Sequence, residues 1–268
     1  MPRRIAVCAD DFGATASITD AIVELADAGR ISAVSIMVHG PDVERGALRL
    51  GGQRRPGCSR GLHFTLTEAR EDAMRIRLPD LALRAWLRLL RPRDLQRMCR
   101  RQLDRFEQLT GARPDFVDGH QHVHQFPVVR DVLVRALADR YGGGVMLRST
   151  RPAKYRGVKA GLVAALGARA LGRGAERHGL KTNTDFAGGY SFGATGRYRE
   201  RMRAWLSDVS EGGLIMCHPG KPGDTTDVIA AARHEEYEYL RSAHWLADLA
   251  AAEVELSPFA SSVTPRLA

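Results

Sequence analysis

Apolar positions along the 268-residue chain fall into short runs separated by stretches of helical spacing. Arg4 to Ala9 is a brief apolar run that ends in Asp10-Asp11-Phe12-Gly13. Ile18, Ile22 and Leu25 then recur on one helical stripe, which Gly29 stops. Ile31 to Val38 predicts a second buried strand, Pro41 to Leu50 a short helix, and Gly61 to Thr67 a third strand. An arginine-rich helical region covers about Leu81 to Leu109, and the apolar pair Phe116-Val117 begins the next strand. Val129, Val132, Leu133, Ala136 and Leu137 form another helical stripe, followed by a fifth strand over Gly144 to Thr150 and a basic, glycine-interrupted helical region from Tyr155 to His178. Thr182 to Phe186 is weakly strand-like, Tyr198 to Val209 helical, and Leu214 to His218 strongly strand-like. A helix over His234 to Ala251 and a closing strand at Val254 to Leu256 complete the pattern. Strand and helix alternate about seven times with no Pro/Ser-rich linker and no repeat. That argues for one parallel α/β domain over residues 1–268, barrel-like or open.

Composition removes several classes of function. With 44% hydrophobic and 26% charged residues the chain is ordinary globular material. Its net charge of +9 comes almost wholly from arginine, since lysine stands only at 154, 159, 181 and 221. A coding bias toward arginine accounts for such an excess, so charge alone does not indicate nucleic acid. The four cysteines show no Cys-x-x-Cys pair and no disulfide-like spacing, which fits a reducing compartment. The amino terminus reaches Asp10-Asp11 too soon to hold a signal-peptide apolar region, and no stretch approaches 18 uncharged apolar residues. A cytoplasmic protein is the expectation.

Packing does not explain Asp115 to His124, which reads Asp-Phe-Val-Asp-Gly-His-Gln-His-Val-His. Its three imidazoles stand where a strand ends and a loop begins, and parallel α/β folds gather catalytic groups at the carboxyl ends of strands. On an extended chain His120 and His124 would lie about 13 Å apart, at about 3.3 Å per residue. They cannot share one ion unless the chain bends. One ligand is therefore expected, His120 at the strand end, with His122 and His124 lining the loop or supporting it. A lone histidine is more often a hydrogen-bonded core residue; three in five residues beside an aspartate favour chemistry.

Other strand ends carry polar groups that packing would not choose: Asp10-Asp11, His63, Asp118 and Cys217-His218-Pro219. Two imidazoles and one carboxylate make a three-point site for a divalent ion, with open positions for water and substrate. Adjacent carboxylates allow one to hold the ion while the other takes a proton. Asp10 and Asp11 face opposite ways on a regular strand, and Gly13 is expected to permit the turn that brings both to one pocket. A helix amino-terminal cap is the structural alternative for this pair.

The combination is also a family pattern. Ala-Asp-Asp-Phe-Gly at 9–13, Gly-Leu-His-Phe-Thr-Leu-Thr at 61–67, Asp-Gly-His-Gln-His-Val-His at 118–124 and Cys-His-Pro-Gly at 217–220, in that order, resemble the YdjC-like carbohydrate deacetylases. The resemblance implies a distorted (β/α) barrel that removes an acetyl group from an N-acetylated sugar, free or lipid-linked. It implies Asp11, His63 and His120 as metal ligands and Asp10 as the general base. By analogy with NodB-type polysaccharide deacetylases, it implies His218 as the general acid. One divalent ion follows, with zinc favoured by its affinity for nitrogen and magnesium or another divalent ion open. Gly119 stands where many relatives have a small polar residue, a change expected to matter little.

Candidate substrate contacts are less specific. Arg148 could orient Asp10, bind substrate or form an ordinary ion pair. His124 lines the loop, and Phe186 lies in a glycine-rich aromatic loop over 185–192 that suits stacking on sugar faces or burial in the core. A Cys217-His218 nucleophile carries little weight without a lowered thiol pKa.

Between Arg75 and Arg105 ten arginines face only Asp80, Asp94 and Asp104, interleaved with Leu81, Leu83, Trp86, Leu87, Leu89 and Leu90. This region, near 75–110, and a second near 153–178 read as basic helical insertions. Peripheral membrane contact is one reading; outer helices with a solvated arginine face are the favoured one. A homodimer is an open alternative to a monomer. Two rival functions remain. A non-haem iron oxygenase uses two histidines and a carboxylate on an antiparallel scaffold that this alternation does not predict. A nucleic-acid-binding protein is suggested by charge alone, and none is expected as a partner.

Overall fold

The computed structural model describes residues 1–50, 57–67, 76–193, 195–223 and 227–262. Arg75, at the edge of the first basic region, and residues 263–268 lie outside them. The first apolar run forms β1 (Arg3–Phe12), followed by α1 (Ala16–Asp27), β2 (Ala33–Ile36), α2 (Val43–Leu50) and β3 (Ser59–Phe64). Two helices, α3 (Leu78–Trp86) and α4 (Pro92–Thr110), precede β4 (Phe116–Gly119). A tight turn over His120–Gln125 leads to α5 (Val129–Tyr141), β5 (Met146–Leu147), α6 (Val158–Ala165), α7 (Ala168–Arg177), β6 (Lys181–Thr182) and β7 (Phe186–Ala187). The chain closes with α8 (Tyr198–Asp208), β8 (Leu214–Cys217), α9 (Ala230–Arg241), α10 (Ala243–Ala251), β9 (Val254–Leu256) and α11 (Phe259–Ser262).

Eight strands pair side by side in the order β6-β5-β4-β3-β2-β1-β8-β7, and β9 adds to β1 off that path. All these pairings are parallel. The sheet curls into a half-barrel flanked by helices, and no pairing joins β6 to β7 among the described residues. This single α/β domain has more strands than the seven or so alternations predict. The weak segment at 182–186 resolves into two strands of two residues each, separated by Asn183–Asp185.

Three predicted helices are broken, each for a local reason. The arginine-rich region ends its first helix at Trp86 and restarts at Pro92, a residue suited only to a helix's first turn. The second basic region breaks at Gly167, whose φ of +131° no other residue adopts cheaply. The final helix breaks at Ser242, which is extended.

Alternation along the strands sorts two cores. Ile5, Val7 and Ala9 of β1 join the large core under the helices, while Ala6 and Cys8 join a smaller one with Ala33, Phe116, Met146, Phe186, Leu214, Met216 and Phe259. This second set fills the concave side of the half-barrel, and the Phe116 and Phe259 rings meet edge to face at 5.1 Å. Gly61 on β3 leaves room for it, since a Cβ there would stand 2.4 Å from the Phe116 ring.

One buried ion pair ties the last strands to this interior. Asp185, fully buried between β6 and β7, accepts hydrogen bonds from both terminal nitrogens of Arg156 at 2.6 and 2.8 Å and from the backbone of Ala153 and Ser210. Burial pushes its carboxyl up, but Arg156 and those N–H groups outweigh it and leave it below the usual range. Its stabilisation is therefore present above the ordinary carboxylate pKa and is lost as pH falls through the lowered one. Asp185→Asn is expected to cost about 1–3 kcal/mol at neutral pH, because Arg156 keeps Asp208 as a carboxylate partner at 2.9 Å while the buried bonds to Asp185 lose their charge. The deficit, measured by denaturant unfolding, should shrink below about pH 4.

Candidate active site at the open end of the half-barrel

The interior face of each strand is apolar or small at its start and polar at its end. Stepping by two, β1 reads Ala6-Cys8-Asp10, β2 Ala33-Ser35, β3 Gly61-His63 and β4 Phe116-Asp118. The same step takes Met146 to Arg148 and Met216 to His218. Period-two geometry thus lifts six polar side chains onto one layer above the small core, at the carboxyl ends of the strands.

Asp11 belongs to this layer only because β1 is irregular. The register of β1 against β2 shifts between Ala9 and Phe12, and Asp11 has φ 66°, left-handed backbone that non-glycine residues seldom adopt. The bend that brings both carboxylates to one pocket is thus seated at Asp11 itself, ahead of Gly13 at φ +91°. The helix cap of α1 is supplied by Thr15, not by the aspartates.

Asp11, His63 and His120 offer three ligand atoms within 4.8 Å of one another. Asp11 Oδ1 lies 3.3 Å from His63 Nε2 and 3.0 Å from His120 Nδ1. On its other side His63 Nδ1 is 2.6 Å from Asp118 Oδ1, an oxygen that also accepts from Ser35 Oγ at 2.6 Å. Asp118 is an acceptor only, so Nδ1 donates and Nε2 turns a lone pair toward Asp11. Two acceptors then face each other across 3.3 Å, an arrangement that a proton or a cation relieves. Burial pulls the His63 pKa down, but the Asp118 charge and its hydrogen bonds to Asp11 and Asp118 lift it to about 10. These residues fit a divalent cation: one carboxylate and two imidazoles, one imidazole steered by a buried carboxylate.

A second group, Cys8, Asp10 and Asp118, also has the composition of a metal site. Its positive charge is Arg148. The fully buried guanidinium grips Asp10 through two bonds of 2.6 Å, stands 2.5 Å from Asp118 Oδ2 and 2.9 Å from Cys8 Sγ. Burial raises the Asp10 pKa, yet the Arg148 charge and hydrogen bonds overcome this and leave the carboxyl well below its usual range. Burial also pushes the Cys8 and Cys217 thiols up, which removes a thiolate nucleophile.

His218 Nε2 lies 3.9 Å from Asp10 Oδ2, so the two residues read from sequence as base and acid are neighbours. Burial lowers the His218 pKa to about 4 against the opposing carboxylates. Its loop is held from α9. The buried Glu236 accepts the His218 backbone N–H at 2.5 Å and the Tyr190 hydroxyl at 2.7 Å, and burial raises its carboxyl to about 7. Phe192 stands edge-on to the His218 ring at 5.2 Å.

The chain does bend through the histidine stretch, because Gln121 and His122 are both left-handed at φ 52° and 60°. The bend carries His122 and His124 away from Asp11. His124 is fully buried, with Nε2 3.0 Å from the Arg148 carbonyl, and burial lowers its pKa to about 4. Gly119 makes its place: a Cβ there would come within 2.9 Å of His124 Nδ1, so this residue matters more than the sequence suggests. Phe186 is 3% exposed in the small core, edge-on to His122. Arg148, His124 and Phe186, read from sequence as substrate contacts, are all buried, Arg148 within the layer and His124 and Phe186 beneath it.

Sequence reasoning missed Ser35, Arg233 and Glu236. Ser35 looked like filler in an apolar run, and the alternation of β2 is the signal that places it with His63. Arg233, on α9, donates to Asp11 Oδ2 at 2.7 Å and leaves Oδ1 for the histidines. Burial pulls the Asp11 pKa up, but Arg233 and His120 hold it well below the usual range. No local motif marks α9 as part of the site.

Comparison with known proteins places the chain in a family. The sequence profile described as YdjC-like protein matches residues 4–251. A mouse protein named carbohydrate deacetylase is 32% identical over 257 residues, covering 82% of this chain and 79% of its own length. Its human counterpart, of the same name, is also 32% identical, covering 82% and 76%. Among solved structures, a proposed cellobiose-phosphate cleavage protein from Enterococcus faecalis V583 shares the fold at a TM-score of 0.70 and 19% identity, over 97% of this chain and 99% of that one. The chain belongs to the YdjC-like family.

Proposed function

We propose that this protein is a metal-dependent hydrolase that removes the acetyl group from an N-acetylated sugar. The observation that carries the reading is the convergence of Asp11, His63 and His120 within 4.8 Å, at a strand-end layer that also holds Asp10 and His218. Support for the substrate class comes from the names of the mouse and human relatives. The all-parallel sheet also differs from the antiparallel scaffold of the rival iron oxygenases.

Asp11, His63 and His120 would hold the ion, with zinc favoured for a site of two imidazoles and one carboxylate. A divalent ion bound there would polarise the acetyl carbonyl and lower the pKa of a coordinated water from about 15.7 towards about 7. Asp10 is ionised and fixed by Arg148, so its carboxylate is ready to receive the proton of the attacking water. His218 is neutral at rest because of burial. It takes up a proton beside Asp10 before delivering it to the departing amine nitrogen. Arg148, His124 and Phe186 act as buried supports: Arg148 orients Asp10 from within the layer, His124 holds the Arg148 carbonyl, and Phe186 packs the floor.

Asp10→Asn is expected to retain the ion and to lose turnover by about 10² to 10⁴. Acetate release and metal content, measured on the same preparation with His63→Ala as the ion-deficient control, check both halves. Near-normal turnover in Asp10→Asn would remove Asp10 from its role.

Glu236 generates a pH prediction. Its folded pKa lies above that of an unfolded glutamate, so its contribution to stability is complete below the ordinary glutamate range and is lost as pH rises through about 7. Glu236→Gln should abolish that slope in denaturant titrations across this range. The variant should also lower kcat by about tenfold with KM little changed, because the His218 loop loses one of two acceptors.

A further inference from the structure

We propose that the rim around the candidate site docks on the surface of an anionic lipid bilayer. A parallel strand-helix-strand crossover needs one return helix. Between β3 and β4 that helix is α4, which packs against β3, and between β5 and β6 it is α7, which packs against β6. Helices α3 and α6 are additional. In chain order each follows a strand's carboxyl end, the end at which Asp11, His63 and His120 converge, and precedes the return helix.

Both extra helices turn large apolar side chains to solvent. Helix α3 buries Leu81 and Ala85, while Leu83 and Trp86 are 59% and 53% exposed, and Leu87 and Leu89 just beyond it are 59% and 66% exposed. Helix α6 buries only Ala160, with Val158 and Leu162 at 70% and 64% and the preceding Tyr155 at 81%. A water-facing helix has no packing reason to present such residues.

The charges around them are mainly positive, with Asp80 on α3 and Glu176 on α7 as the exceptions. Asp94 is taken by Arg97 and Asp104 by Arg140. Arg84, Arg88, Arg91, Arg151, Arg169 and Arg173 have no ion-pair partner among the described residues. Arg88 after α3 and Arg173 on α7 both act on Arg130 at the start of α5, so the two basic regions meet at this rim. Arg151, Arg169 and Arg173 also line two clefts of about 690 and 800 Å³, the second of them lined by Tyr155 as well.

Exposed leucine, tryptophan and tyrosine among unpaired arginines complement an interface of apolar chains and anionic headgroups, rather than a polar protein surface. No helix among the described residues is long and apolar enough to cross a membrane, so the contact is peripheral. Docking does not depend on the deacetylase reading, since binding is read without turnover.

The test is flotation of the full chain with vesicles of neutral phosphatidylcholine, alone or mixed with anionic phosphatidylglycerol. Binding is expected only to the mixed vesicles, and to fall as salt rises. Trp86→Ser with Leu87→Ser, and separately Arg88→Glu with Arg173→Glu, should each lower binding about tenfold or more, with unfolding midpoints unchanged because all four side chains are exposed. Failure to float with either vesicle, equal binding to both, or a dimer that the Trp86 and Leu87 substitutions dissolve without any lipid binding would overturn the proposal.

Discussion

Charge balance in a space closed to water is the constraint on which the site depends. Asp10, Asp11 and Asp118 are buried to 3% exposure or less, and two guanidinia, Arg148 and Arg233, are buried against them. Arg233 is shared with Asp227 as well, so the two arginines do not neutralise the three buried carboxylates, and the surplus negative charge is costly to bury unpaired. The residue sits between Asp11 and the nitrogens of His63 and His120. A protonated His63 settles it in the free protein, and a divalent cation settles it with charge to spare. The affinity of this corner for positive charge thus follows from the placement of arginines, not from the histidines alone.

Each arginine also divides the oxygens of its carboxylate. Arg233 occupies Asp11 Oδ2 and leaves Oδ1 to the histidines, whereas Arg148 occupies both oxygens of Asp10. Adjacent aspartates of the same sequence are thereby given different work, one directed at a cation and the other fixed as an anion. The left-handed Asp11 residue is part of that division, since regular strand geometry would have sent one of the two carboxylates into the outer core.

Much of this was legible in the sequence. The order of strands and helices follows from apolar periodicity, and His63, His120 and His218 announce themselves at strand ends where packing would choose otherwise. Legibility fails in three physical situations. Ser35 is small enough to pass for core. Arg233 and Glu236 sit on a helix whose own pattern is unremarkable, and their relevance comes from long-range docking. The left-handed Gln121 and His122 are non-glycine residues, so no turn signal in the sequence marks the bend that separates His120 from His122 and His124. The broken helices are a fourth case of a milder kind: Pro92 and Gly167 are visible, but periodicity ran through them.

Strand β1 precedes its partners β8 and β9, and the Arg233 that secures Asp11, by some two hundred residues, although its other partner β2 follows directly. A nascent chain therefore carries Asp10 and Asp11 through most of translation as ordinary solvated acids, with no neighbour to select between them. The separate settings of the two carboxylates are therefore completed only when the carboxyl-terminal third has emerged and docked.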